Sequence, residues 1–107
     1  MNENLETTQT LIVRDFELEP TEKLLPEEEL LRLLSEQIAY LIDHKVEVLF
    51  SLMYRLDVDE NRVNAALAPF APEPANVGLA KLVLERQKQR VYTKQYYKPE
   101  KPWNWEE

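Results

Sequence analysis

The chain of 107 residues has no cysteine, a single glycine and a single histidine. Without cysteine there is no disulfide framework, no thiol nucleophile and no cysteine-ligated metal, a composition that suits a reducing compartment. One glycine rules out a glycine-rich phosphate loop. The lone histidine, His44, follows Asp43 at the end of an apolar periodic segment, so contact with the last helical carbonyls or with solvent is expected rather than base or ligand chemistry. No apolar run approaches the roughly 20 residues of a membrane helix, and the opening MNENLETTQT lacks the basic start and apolar stretch of a secretory signal. The expectation is a small cytoplasmic domain that is not an enzyme and takes no cofactor, metal or small-molecule substrate.

Positive charge is scarce in the first third of the chain and negative charge is scarce near its end. Through Glu36 ten acids face only Arg14, Lys23 and Arg32, whereas between Lys81 and Lys98 six bases face only Glu85. The net charge of −7 opposes bulk attraction to nucleic acid or to an anionic membrane, but the local excess of cations forms a candidate surface.

Residues 1–25 read as an acidic N-terminal arm, extended or disordered. Its apolar island, Leu11, Ile12, Val13, Phe16 and Leu18, is too short to fold alone. It either lies over its own domain or docks on a partner, the β-favouring LIVRDF then serving as an added strand. Pro26 followed by Glu27, Glu28 and Glu29 marks a helix start, since proline suits the opening of a helix and carboxylates favour its positive end. Leu30, Leu31, Leu34, Ile38, Leu41 and Ile42 continue at helical spacing, predicting a helix over 26–43. The stretch 43–45 carries no glycine or proline, so a turn and one continuous helix both remain open; a turn lets two apolar segments bury each other.

The segment VEVLFSLMYRLDV, 46–58, is apolar on nearly every side. It alternates at period two as well as fitting a helix, but its length and its helical flanks favour a helix over 46–56. Val46, Leu49, Phe50, Met53 and Leu56 are expected on one buried face, with Val48, Leu52 and Tyr54 filling another, as in a helix covered on several sides. The following DVDENR lacks the turn glycine and the bidentate acid of a calcium loop. Asp57 with Glu60 instead has capping-box spacing for a helix over 58–68 with Val63, Ala66 and Leu67 inward, which occupies the Asp57 and Asp59 carboxylates structurally. Pro69 to Pro74 reads as a stiff connector with Phe70 plugging the core edge. Val77, Ala80, Val83, Leu84 and Val91 then line a helix over 74–97, and Gly78 within it marks a close crossing, with the central helix as the first candidate. Residues 99–107 form a proline- and tryptophan-bearing tail.

On the last helix Arg86, Arg90, Lys94 and Lys98 recur at steps of four, with Tyr92, Tyr96 and Tyr97 interleaved. Cations beside flat rings suit a single-stranded nucleic acid or RNA, phosphates on the one and bases on the other. The same face equally suits the acidic part of this chain or a protein partner. Trp103 and Trp105 either fold back onto the domain or are candidate anchors for such a partner. Arg55 with Glu85, or Asp57 with Arg86, are candidate ion pairs tying the central helix to the last one.

The run Tyr54 to Val58, YRLDV, together with Leu84 to Gln89, LERQKQ, resembles a family of short uncharacterised bacterial proteins. The resemblance covers roughly 28–97 and implies an all-helical fold with no activity attached. The whole reading is an all-α domain over 26–98, a three- or four-helix bundle with an N-terminal arm and a C-terminal tail. Its leading function is protein binding or assembly, self-association included; the alternative is nucleic-acid binding along the last helix.

Overall fold

The computed structural model describes residues 3–20 and 23–96, with side chains for 8–20 and 23–92. The described chain is all-α: α1 Glu3–Phe16, α2 Glu27–His44, α3 Val46–Arg55, α4 Glu60–Leu67 and α5 Ala75–Tyr96. None of these helices is long and apolar enough to cross a membrane.

The four helices expected after residue 25 are present with ends within two residues of those read from periodicity. Within the expected arm, Glu3–Phe16 is not extended. It forms α1, which seats Ile12 and Phe16 fully inside, and with Thr8 these make a stripe at steps of four. The β-branched run LIVRDF favours a strand locally, but burying Ile12 and Phe16 against α2 and α5 outweighs that weak preference. Among the described residues five helices therefore stand where three or four were expected. The tail at 99–107 lies outside the described residues.

α5 is the central strut, packed by α1, α2 and α4. It runs antiparallel to α2: Asn76 near its start donates to the Ser35 carbonyl at 3.1 Å, and Lys88 further along reaches Glu27 at the start of α2 at 3.1 Å. Leu79, Ala80, Val83 and Leu84 meet Leu30, Leu34, Ile38 and Leu41 in one core that also takes Ile12 and Phe16 from α1. Gly78 does mark a close crossing, but with α4 rather than α3: a Cβ there would stand 3.2 Å from that of Ala66.

With glycine nearly absent, the helix ends are built by other means. α1 stops on Glu17 at φ 56°, and the Leu18 amide donates back to the Val13 carbonyl at 3.1 Å. α3 stops in the same way on Asp57 at φ 61°, with Val58 N–H to the Met53 carbonyl at 3.1 Å and Asp57 N–H to the Tyr54 carbonyl at 3.0 Å. These are Schellman ends, in which a left-handed residue turns the chain so that the final carbonyls find donors. Leu18 and Val58, one residue past each turn, pack on the core. α2 and α3 are separate helices, broken at Lys45 with φ −147° and ψ 59°, which settles the junction left open by the sequence.

The Gln9 side chain fixes the connection between α1 and α2. Its amide donates to the Lys23 carbonyl at 3.0 Å and its oxygen accepts the Leu25 N–H at 2.8 Å. Gln37 of α2 donates to the Phe16 carbonyl at 3.0 Å, satisfying the C-terminal end of α1. His44 Nδ1 lies 3.2 Å from the Tyr40 carbonyl, and its ring stacks on Tyr40 at 4.6 Å, as a histidine at a helix end is expected to do.

Candidate interaction surfaces

The described cations of α5 are tied to their own chain. Arg86 Nε donates to the Leu56 carbonyl at 3.0 Å, and its Nη2 stands 3.5 Å from Asp57 Oδ2. Leu56 closes α3, so Arg86 meets a carbonyl left over at a helix end and places a cation at the negative pole of that helix. Lys81 pairs with Glu73 at 2.6 Å and Lys88 with Glu27 at 3.1 Å. Arg90 donates to the Gln87 oxygen at 3.3 Å, while the Gln87 amide donates to Asp15 of α1 at 3.2 Å and Arg14 pairs with Asp15 at 3.0 Å. Gln87 is fully buried, so this chain of bonds satisfies a polar group inside the α1–α5 contact.

Two of the four predicted link residues therefore meet: Asp57 and Arg86. The other proposed pair does not form. Glu85 pairs with Arg62 of α4 at 3.3 Å, and Arg55 is exposed with no ion-pair partner among the described residues. The reason is rotational. Leu49, Leu52, Met53 and Leu56 face the core, which turns Arg55 to the outer side of α3. The capping box at Asp57 and Glu60 is likewise displaced, because Asp57 is consumed as the left-handed end of α3. Asp59 caps α4 instead, its Oδ1 accepting the Asn61 N–H at 2.9 Å.

Of the residues predicted for partner binding, Arg86, Arg90 and Tyr92 lie on described α5, where Tyr92 is half exposed. The side chains of Lys94 and Tyr96, and Trp103 and Trp105 altogether, lie outside the described residues.

Sequence reasoning missed the outer face of α3. Val46, Val48 and Phe50 are each over 40% exposed and Tyr54 is 89% exposed, although all four were expected to be covered. α3 packs chiefly on α2 and sits at the edge of the bundle, so one face is enough to hold it. Phe70 is also no core plug: the Ala71 N–H donates to the Ala68 carbonyl, and the turn throws Phe70 outward, 93% exposed. One signal for the α3 face was present in the sequence, since a helix apolar all round needs neighbours on every side and a chain this short has few to offer.

Beside α3 an open groove of about 560 Å³ runs between the end of α1, the end of α2 and α3. Tyr40, Leu41, Val48 and Leu52 give it an apolar floor, and Asp15, Glu17, Lys45, Glu47 and Arg55 give it a rim of both signs. Among the described residues no group of three or more acids or histidines is placed to hold a metal ion.

No family model matches the chain, and neither a curated protein nor a solved structure does.

Proposed function

We propose that this domain is a non-catalytic protein-interaction module and that α3 is its docking face. One observation carries the reading: a helix of ten residues at the edge of the bundle exposes Val46, Phe50 and Tyr54 along one line. Apolar side chains scattered singly over a surface are ordinary, but three in line at steps of four on one short helix form a patch, with Val48 on the opposite flank beside the groove. Phenylalanine and tyrosine give a partner large contact area at low entropic cost, with Tyr54 offering a hydroxyl at the rim.

Nucleic-acid binding along α5 is the alternative, and it has less support. Lys81, Arg86, Lys88 and Arg90 each already have an acceptor on the same chain. Exposed pairs of this kind are worth only about 0 to 1 kcal/mol, so they could be broken, but the acids beside them would remain and repel a phosphate backbone.

The test is site-specific photo-crosslinking of the full chain in cells, with the reactive group placed at Tyr54 and, as control, at Glu28 on α2. Discrete crosslinked species from position 54 alone are expected; none, or the same pattern from both positions, would overturn the reading. A labelled single-stranded oligonucleotide titrated at low ionic strength addresses the alternative, for which no binding is expected.

A further inference from the structure

We infer that the partner docked on α3 is a second copy of this chain, its α3 lying antiparallel across the first. The inference rests on the reading of α3 as the docking face and adds the occupant and its orientation. Glu47 and Arg55 stand eight positions apart at opposite ends of the outer face of α3. Both are exposed, and neither has an ion-pair partner among the described residues. At a rise of about 1.5 Å per residue they are about 12 Å apart along the axis, with Ser51 midway.

That arrangement is complementary to its own reversal. A two-fold axis passing beside Ser51 brings Glu47 of each copy to Arg55 of the other, giving two ion pairs from one symmetric contact. The same operation lays each flank of the helix against its own copy. Val46, Phe50 and Tyr54 share one flank, so Phe50 meets Phe50 and Tyr54 of the second copy, and aromatic pairs of this kind attract beyond their buried area. Ser51, small and exposed, leaves room at the crossing. A parallel arrangement would instead set Glu47 against Glu47 and Arg55 against Arg55, which like charges disfavour. A contact centred on two ten-residue helices falls at the small end of specific interfaces, so the dimer should be weak, with dissociation in the range of roughly 10 to 500 µM.

Sedimentation equilibrium of the full chain at low salt, across that concentration range, tests the pairing through four samples. The wild type should show a monomer–dimer equilibrium. Glu47→Arg and Arg55→Glu should each weaken it by at least about tenfold, since each sets like charges together twice per dimer. The double variant, and an equimolar mixture of the two single variants, should recover to within about threefold of wild type, because in both cases every pair is again opposite in sign. Both residues are exposed, so circular dichroism should find all variants folded; Phe50→Gln, also at an exposed position, should weaken the dimer by at least about tenfold without changing any charge. A dimer indifferent to both reversals, or reversals that neither the mixture nor the double variant rescues, overturns the antiparallel pairing. A wild type that stays monomeric throughout overturns the second copy as occupant, while position-54 crosslinks to a different protein would leave α3 as a docking face.

Discussion

Replacing Glu17 by glycine should stabilise the protein, although it removes every side-chain atom at that position. Glu17 holds the left-handed turn that ends α1, at φ 56°. Its side chain is exposed and takes part in no ion pair among the described residues, so nothing is lost with it. An L-residue in the left-handed region costs roughly 1 to 2 kcal/mol, which glycine avoids. Glycine in turn gives the unfolded chain more freedom, a penalty of about 0.4 to 1 kcal/mol. The balance is a gain of about 0.5 to 1 kcal/mol, or a rise in melting temperature of roughly 2 to 8 °C for a domain of this size. Asp57→Gly should gain less, because aspartate tolerates the left-handed region better and glycine forfeits the 3.5 Å contact with Arg86. Glu17→Ala is the control: it removes the same carboxylate without relieving the backbone and should change little. Thermal unfolding followed by far-ultraviolet circular dichroism reads all three. A melting temperature for Glu17→Gly at or below that of Glu17→Ala would refute the left-handed end, and with it the account of how α1 is turned back onto the bundle.

Phe16→Ala should cost about 3 to 5 kcal/mol in urea denaturation, the usual loss for a fully buried phenylalanine, whereas an N-terminal arm off the domain would lose almost nothing. Gln87→Ala should cost about 2 to 3 kcal/mol, since it opens a void and strands the Asp15 oxygen that the amide satisfies at 3.2 Å. Arg86→Ala should cost about 1 to 2 kcal/mol through the unpaired Leu56 carbonyl, while Arg55→Ala leaves the melting curve where it was. The Arg32 guanidinium, by hydrogen bond first and by charge second, holds the Glu29 carboxyl below the usual carboxylate range. A lowered folded value means that the stabilisation is present above the ordinary carboxylate pKa and fades as pH falls through the lowered one. Carboxyl-carbon NMR should find Glu29 titrating at lower pH than in Arg32→Ala.

α2 was legible because it carries its apolar residues on one stripe and its charges off it, α5 because Ala80, Val83, Leu84 and Val91 recur at helical spacing, and both because Pro26 and Pro74 stand immediately before their first turns. Leu30, Leu34, Ile38 and Leu41 of α2 and Ala80, Val83, Leu84 and Val91 of α5 are all buried as the spacing predicts. α1 was not legible. Among its described side chains the inward stripe opens on Thr8 and Gln9, which are polar and buried, so the apolar pattern shows only the short island from Leu11 to Leu18. What makes burial tolerable there is tertiary: Gln9 spends its amide on the backbone at Lys23 and Leu25, residues 14 and 16 positions away. The Asp57 to Asp59 turn failed for a different reason. Either aspartate can cap a helix by itself, and the choice depends on where α3 ends, which the left-handed turn at Asp57 decides and no spacing reports.

The outer face of α3 sets the strongest constraint on function because α2 and α5 expose mostly polar side chains, each with one large apolar exception among the described residues, Tyr40 and Tyr92. α2 turns Glu28, Arg32, Glu36 and Asp43 to solvent, and α5 turns out Lys81, Glu85, Lys88 and Gln89. A helix at the edge of a bundle should do the same, since a single buried face meets the needs of packing. α3 buries Leu49, Leu52 and Met53 on α2 and the core, and these suffice to dock it. Exchanging exposed Val46, Val48, Phe50 and Tyr54 for lysine, glutamate or glutamine would keep that packing, raise helix propensity and remove an aggregation hazard. Stability of the monomer therefore gives no reason for those four side chains. The proposed docking of α3 would account for them, and Glu47 and Arg55, which have no ion-pair partner among the described residues, would supply the orientation that the apolar groups alone leave undetermined.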